Sequence, residues 1–333
     1  MATKSVYSSL TLLELAKRIN PDGSIAQIAE VLTQTNEILR DAIALEANDR
    51  TSHLVTMRSK LPTGTWRKIN SGVNPESSKT TQVREAIGML EARSVIDEKL
   101  VKLSPNPAQF RSIEDMSFIM GMSETFAETL MYGNKDTDPT QFDGFLPRYD
   151  STTGDNKDFI WNAGGSGSDL ASVLVCSWSP QTCHLVYPMG MGYGSTTING
   201  NVGVGITRTD RGLQQVQDDA GRTFDAYVTK FELNIGLAIR DPRAVQRIVN
   251  IETDGTTNTL DDDLLIKAIN RCRGMNKVIY MNEVLKSQLD ILAKDKTNVN
   301  YTMGEEFGMP VTYFRGVPVR QVDALLNTES TVA

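Results

Sequence analysis

The apolar positions of this chain change their period several times. Near the start, Thr11-Leu12-Leu13-Glu14 has the form of a capping box, in which a hydroxyl accepts an orphan amide and a Glu three residues on reaches back. Asn20-Pro21 ends that helix, because the residue before a proline is driven out of the helical region. Ser24-Ile25-Ala26-Gln27 repeats the start signal. Ile28, Val31, Leu32, Ile38, Leu39 and Ala42 then recur at helical spacing, which predicts an amphipathic helix to about Leu45. Its apolar face needs a partner, either this chain's own core or another subunit.

From residue 51 to about 85 the helical period is lost. Leu61-Pro62-Thr63-Gly64 and Asn74-Pro75 break the chain, and Val55, Met57, Leu61, Trp66, Ile69 and Val73 are too sparse to build a core. A long β-hairpin or loop is predicted. An arm of about 13 residues reaches roughly 40 Å at about 3.3 Å per residue. That is about twice the radius of gyration, roughly 20 Å, of a folded chain of this length. If extended, the arm must project.

After a mixed segment, Glu85 to Leu103, Pro105-Asn106-Pro107 precedes a strong helical pattern from about Ala108 to Tyr132, a rod of roughly 37 Å at 1.5 Å per residue. Phe110, Ile113, Met116, Ile119, Met120, Phe126, Ala127 and Leu130 place apolar groups on more than one face, and the Met cluster (Met116, Met120, Met122, Met131) reads as gap-filling core. Gly133 is expected to close the helix as a left-handed cap. Residues 151 to 255 are rich in β signals and glycine: eleven of the 25 glycines lie between Gly164 and Gly221, which predicts turns, bulges and short strands. Tyr227, Thr229, Phe231, Leu233, Ile235, Leu237 and Ile239 then alternate with period two, a long strand with one buried face that Asp241-Pro242 terminates. The last section is α/β: a helix from Leu260 to Arg273, a buried strand Lys277 to Met281, an Asn282 cap, a helix Glu283 to Lys294, and a strand entered by a turn at Arg315-Gly316.

Composition narrows the classes. With 40% hydrophobic and 23% charged positions among 333 residues, the chain is neither collagenous, mucin-like, disordered nor a membrane bundle. No apolar run is long enough to span a bilayer, and Glu14, Lys17 and Arg18 interrupt the early apolar stretch, so no signal peptide is expected. The net charge of -7 argues against a chain-wide nucleic-acid trap. Yet Arg58, Lys60, Arg67, Lys68, Lys79 and Arg84 face only Glu76 between residues 58 and 84, so the arm carries +5 and the remainder -12. A basic arm on an acidic body suits docking onto a neighbouring copy, since complementary charge steers association and fixes register.

Candidate chemistry is sparse. Cys176, Cys183 and Cys272 form no CxxC pair and read as reduced, buried thiols. Cys183 and His184, adjacent on a strand, point to opposite faces, which disfavours a metal site. Gly190-Met191-Gly192-Tyr193-Gly194 lacks the spacing of a phosphate-binding loop. Asp261, Asp262 and Asp263 fan around a helix start instead of converging on a cation, so they read as capping charges. No catalytic residue, cofactor or metal is expected.

Four stretches in this order resemble the major capsid proteins of tailed bacteriophages, the Hong Kong 97-type fold, and more closely those of some short-tailed phages. The basic segment 51 to 85 resembles the family's E-loop. The long helix ending in Tyr132-Gly133-Asn134, with Phe142-Asp143-Gly144-Phe145 after it, resembles the spine helix and its glycine turns. Lys277 to Leu292 is similar to a recurrent A-domain unit, and Phe314-Arg315-Gly316-Val317-Pro318-Val319 to the strand that follows it. Tyr227 to Ile239 with Asp241-Pro242-Arg243-Ala244-Val245 resembles the P-domain strand that usually closes the chain. Here it comes earlier, so a permuted order is expected.

The resemblance implies an α+β fold in five parts: an N-terminal helical arm (1–50), an extended E-loop with its return strand (51–103), the spine helix and glycine turns (104–150), a β-rich P-domain-like region (151–255) and an α/β A-domain-like region (256–333). It implies a non-enzymatic building block that self-assembles into hexamers and pentamers of an icosahedral head around double-stranded DNA. The DNA would be only weakly contacted, with no membrane involved. Scaffolding would come from a separate protein, and portal and decoration proteins are further partners. Assembly would take place in the bacterial cytoplasm, and the product is the virion shell. Arg58, Lys60, Trp66, Arg67, Lys68 and Lys79 are the expected arm contacts, with Glu252 to Asp263, including Asp261, Asp262 and Asp263, as counter-surface. Some relatives join subunits by a Lys-Asn isopeptide bond; Lys60, Lys68 or Lys79 could serve only beside an Asn and a carboxylate in a water-poor pocket. Two other readings are a cargo-enclosing compartment shell and a soluble α/β enzyme using the Gly190 to Gly194 loop.

Overall fold

The computed structural model describes residues 37–154, 156–190, 197–198, 201–202, 206–218, 220–255, 257–293, 301–306 and 309–333. The helices expected over residues 11–36, and most of the Gly190 to Gly194 loop, lie outside the described residues. Where the second helix was expected to run to Leu45, it ends at Asp41. Ala44–Glu46 instead forms strand β1, and its edge, pairing in parallel with a later strand through Ala44–Leu185 and Leu45–Val186, outweighs the local helical period.

Among the described residues fifteen further strands follow in chain order. β2 (Ser52–Lys60) and β3 (Lys79–Ala86) make the antiparallel hairpin of the arm, and β4 (Gly88–Asp97) returns from it. After the long helix come β5 (Ile160–Asn162), β6 (Leu170–Ser177), β7 (Cys183–Tyr187), the small hairpin β8 (Thr197–Ile198) and β9 (Asn201–Val202), then β10 (Thr207–Gln217), β11 (Thr223–Ile239) and β12 (Val245–Glu252). β13 (Lys277–Met281), β14 (Tyr301–Glu306), β15 (Met309–Phe314) and β16 (Val317–Gln321) complete the set.

The chain divides into two compact units. The first takes residues 89–126 and 205–233. β10 and β11 pair antiparallel, with an irregularity between Asp210 and Leu213, and Phe118 stacks on Phe231 at 5.7 Å. Ile96, Leu100, Val101 and Phe110 form a small core against Tyr227. The Arg111 guanidinium lies 4.6 Å from the centre of the Tyr227 ring and reaches Asp210 at 2.7 Å.

The second unit is built on a seven-stranded sheet in the order β14-β15-β16-β13-β6-β12-β5. β6 (LASVLVCS) is buried along its whole length, as a central strand covered on both faces must be. The helices Asp262–Arg271 and Glu283–Ala293 bury Leu265, Ala268, Ile269, Leu285 and Leu289 against Val173, Val175, Ile279 and Val319 of the sheet. Asp261 and Asn282 cap these helices, accepting from the Asp263 and Leu285 amides at 2.9 Å. Arg315 and Gly316 both adopt positive φ, 51° and 78°, in the two-residue turn joining β15 to β16.

Two expectations change in this frame. The boundary at 255 falls inside one sheet, because β12 and β13 are both neighbours of β6. The early position of the long β11 strand follows from nesting: the chain leaves the seven-stranded sheet after β6, builds β7 to β11, and returns to it at β12. β11 also differs from a strand with one wet face, since every position from Leu233 to Ile239 is buried.

The long helix runs over Pro107–Tyr132. Met122 and Met131 are buried, whereas Met116 is half-exposed, so the methionines are not all core. Gly133 does not take a left-handed φ. Its smallness serves close approach instead: the chain folds back so that the Gly144 amide donates to the Gly133 carbonyl (2.7 Å) and Phe145 N–H to Leu130 O (2.9 Å). A Cβ on Gly144 would sit 2.7–2.9 Å from the Thr129, Leu130 and Met131 carbonyls.

The C-terminal segment is locked by a buried network. Glu329 accepts from the Tyr132 hydroxyl (2.6 Å), the Ser172 hydroxyl (2.5 Å) and Arg247 (2.9 Å), and Arg247 also donates to the Leu146 and Tyr149 carbonyls. These contacts and the helix turn give opposite expectations for two glycines. Gly144→Ala should lower unfolding stability by at least about 2 kcal/mol through backbone clash. Gly121→Ala, in the helix with nothing within 4 Å of the new Cβ, should raise it by about 0.5–1 kcal/mol. Chemical denaturation of both variants checks the pair.

Candidate assembly surface

The arm is anchored at its root and bare along its outer length. Register pairs Ser52 with Ala86 and Arg58 with Thr80, and a bulge then brings Lys60 opposite Lys79. Two like charges facing each other across a strand pair disfavour further pairing, and the strands end there. Beyond them the tip is held by Glu76, which accepts from the Thr63 amide at 2.7 Å and from Gly64 at 3.3 Å. Those donors hold the Glu76 carboxyl below its usual range. Arg67 donates to the Ser71 carbonyl, and Asn70 takes a positive φ of 66° in the same turn.

Every residue from Arg58 to Gln82 is exposed. Trp66 is fully exposed and Ile69 is 91% exposed, with Leu61 and Val73 nearby in sequence. Exposed apolar groups of this size are typical of contact surfaces, and Trp and Arg are among the residues enriched at interface hot spots. Arg58, Lys60, Trp66, Arg67, Lys68 and Lys79 therefore lie together on one hairpin. Asp261, Asp262 and Asp263 sit elsewhere, at the start of the helix Asp262–Arg271, where Asp261 is the cap and Asp263 is exposed. No hydrogen bond or ion pair described within the chain joins the two groups. Lys60, Lys68 and Lys79 are all exposed, so a single chain gives none of them a water-poor pocket.

The root is where the chemistry is dense. Glu85, on β3 and 2% exposed, takes two parallel bonds of 2.7 Å from the Arg148 guanidinium. Arg148 spends its other donor capacity on the Gly144 (3.1 Å), Asp143 (3.1 Å) and Leu237 (3.3 Å) carbonyls. One side chain thus ties the arm, the glycine turn after the long helix, and β11. Burial alone would push the neighbouring Asp143 carboxyl up. The Lys135 ammonium at 2.7 Å and the Lys135 amide, with Arg148 close by, outweigh that and hold it below the usual carboxylate range. Beneath the root, Ala47, Val55, Val186 and Ala238 form a small core with Met57 and Ile87.

Nothing in the sequence pattern pointed to Glu85, at the start of a segment read only as mixed, or to Arg148, 63 positions on and past the glycine turns after the long helix. Among the described residues no three His, Cys, Asp or Glu side chains are grouped to hold a metal ion, and no helix is long and apolar enough to cross a membrane. The three cysteines are free and buried.

A family model described as major capsid protein GP7 matches residues 20–333. Among solved structures, a chain in the near-atomic structure of bacteriophage epsilon15 is 31% identical, with a TM-score of 0.74 over 98% of both chains. The bacteriophage JBD30 capsid is 10% identical with a TM-score of 0.50, covering 89% of this chain and 93% of that one, a likeness of fold alone. The holo-SrpI encapsulin complex from Synechococcus elongatus PCC 7942 matches at 11% identity and a TM-score of 0.41, over 75% of this chain and 99% of that one, which decides nothing between the two kinds of shell. No curated protein matches the chain.

Two outcomes test the root. Glu85→Ala strands a buried guanidinium and should cost about 3–5 kcal/mol in denaturant unfolding, more than Glu85→Gln. The Asp143 contribution, from a carboxyl depressed in the folded state, is complete above the unfolded value of about 3.9 and is lost as pH falls through the lower folded one. Acid titration of stability below about pH 4 should therefore be shallower in Lys135→Met than in the parent.

Proposed function

The chain belongs to the major capsid protein GP7 family, and from that premise we propose that the β2–β3 arm is the element by which one subunit grips the next in the shell. It is a structural protein of a phage head, and its place is the capsid shell of the virion. The family is one of capsid proteins and not of enzymes; no catalytic role is proposed for any residue.

The observation that carries the reading is the arm itself: 25 consecutive exposed residues, Arg58 to Gln82, presenting a fully exposed Trp66 among basic side chains. A free subunit gains nothing from such a surface. A shell under pressure from packaged DNA needs wide contacts between subunits, and overlapping arms supply them. The subunits would group as hexamers and pentamers, as an icosahedral shell requires. Trp66 and Ile69 would be the buried anchors, with Arg58, Lys60, Arg67, Lys68 and Lys79 steering the approach toward an acidic surface on the neighbour. Asp261, Asp262 and Asp263 are the candidate counter-surface. The overall charge of -7 fits a container that holds its DNA weakly, because affinity for phosphate grows with the number of basic contacts. Scaffolding, portal and decoration proteins are further proposed partners.

A charge swap tests the arm. Arg67→Asp with Lys68→Asp should cut the yield of closed shells at least tenfold, as read by sedimentation and electron microscopy, while circular dichroism of the subunit stays unchanged. Adding Asp262→Lys and Asp263→Lys should restore part of the yield if that helix start is the counter-surface. Unimpaired assembly after deletion of residues 56–82 would overturn the role of the arm.

A further inference from the structure

The protein has two histidines, His53 and His184. They come from distant parts of the chain, β2 at the arm root and β7, yet their rings meet edge to face with centroids 5.7 Å apart. His184 is fully buried and His53 is 9% exposed. Their hydrogen bonding is poor for such burial. Both nitrogens of His184 and Nε2 of His53 are buried without a hydrogen-bond partner. His53 Nδ1 accepts from the Asn48 amide at 3.3 Å, which fixes the proton of the neutral ring on Nε2.

The groups around the pair are few. Arg240, just past the end of β11, sets a positive charge against both rings. Glu85, the cross-strand partner of His53 on β3, favours the charged form of His53, but its carboxylate is already engaged by Arg148. The backbone at Ser179 favours charge on His184, less strongly than burial, His53 and Arg240 oppose it. Asn48 does more than touch His53: its side chain accepts from the Leu54 amide (2.8 Å) and donates to the Leu54 carbonyl (2.9 Å), pinning the start of β2. A proton on His53 Nδ1 removes the acceptor that Asn48 N–H uses. A proton on either ring places like charge beside Arg240 and the other imidazole.

We propose that the His53–His184 pair is an acid-sensitive latch at the root of the β2–β3 arm, releasing the first strand of the arm when the rings take up protons. The latch is a property of this subunit and stands whatever surface the arm tip meets.

The sign follows from the burial. Desolvation first, then the His53 and Arg240 charges, push His184 down to about 4, and His53 is lowered by the same kinds of cause. In the open state water restores the ordinary value, so opening takes up protons and is favoured as pH falls from about 6.5 toward 4. For His184 alone this raises the opening equilibrium about twentyfold between pH 7 and pH 5.

Hydrogen exchange on the full chain tests it, with rates converted to protection factors so that intrinsic exchange is removed. Protection of the Leu54 to Met57 and Val83 to Ala86 amides should fall about twentyfold from pH 7 to pH 5, while the buried strand β13 keeps its protection. In His184→Leu the fall should shrink to the smaller part that His53 alone contributes. Equal protection at both pH values, or an undiminished fall in His184→Leu, overturns the latch. Should His184→Leu fail to fold, NMR titration of the two imidazoles in the unaltered chain decides the matter: His184 must titrate below about pH 5.5 and His53 below its ordinary value, and an ordinary value near 6.5 for both contradicts the proposal.

Discussion

The buried pair of Glu85 and Arg148 is the constraint on which the rest of the arm depends. A guanidinium and a carboxylate taken out of water are costly unless each finds its full set of partners. Arg148 does so only because three backbone carbonyls from two segments converge on it. That convergence requires the fold-back after the long helix, which in turn requires Gly133 and Gly144 to let backbone approach backbone. Through one side chain, the direction in which the arm leaves the body is coupled to the end of the long helix and to β11.

This coupling explains how a long exposed hairpin can be useful. A two-stranded ribbon is marginal alone, and the outer part of this one has no core. Its strands are held by the ion pair, the small cluster around Val55, and the histidine pair beneath. The charge distribution completes the picture. A net of -7 conceals a basic arm of +5 and a remainder of -12, the distribution on which the proposed docking of the arm onto a neighbouring copy rests. A subunit shaped this way is stable as a fold and incomplete as a surface.

Much of this was legible in the sequence where local signals are strong. The 3.6-residue period and the flanking prolines marked the helix Pro107–Tyr132, the period-two run marked β11, and Asp261 and Asn282 announced their helices. The break at Leu61-Pro62 and the basic run marked the arm tip. What escaped was non-local. β1 reads as the tail of a helix and becomes a strand because the edge of β7 is available to it. The boundary at 255 looked natural in one dimension, yet β12 and β13 flank the same strand in space. Glu85 with Arg148, His53 with His184, and Glu329 with Arg247 are 63, 131 and 82 positions apart, and a single sequence carries no sign that such residues meet.

In the proposed shell the arm tip, bare in the subunit, is covered by a neighbouring copy. Hydroxyl-radical footprinting of Trp66 in free subunits and in closed particles measures that directly, with the buried Trp178 as an internal reference. Trp66 oxidation should drop at least about tenfold on assembly, as burial at an interface core demands, with no change at Trp178. Trp66 oxidised as readily in the closed shell as in the subunit would contradict the proposal.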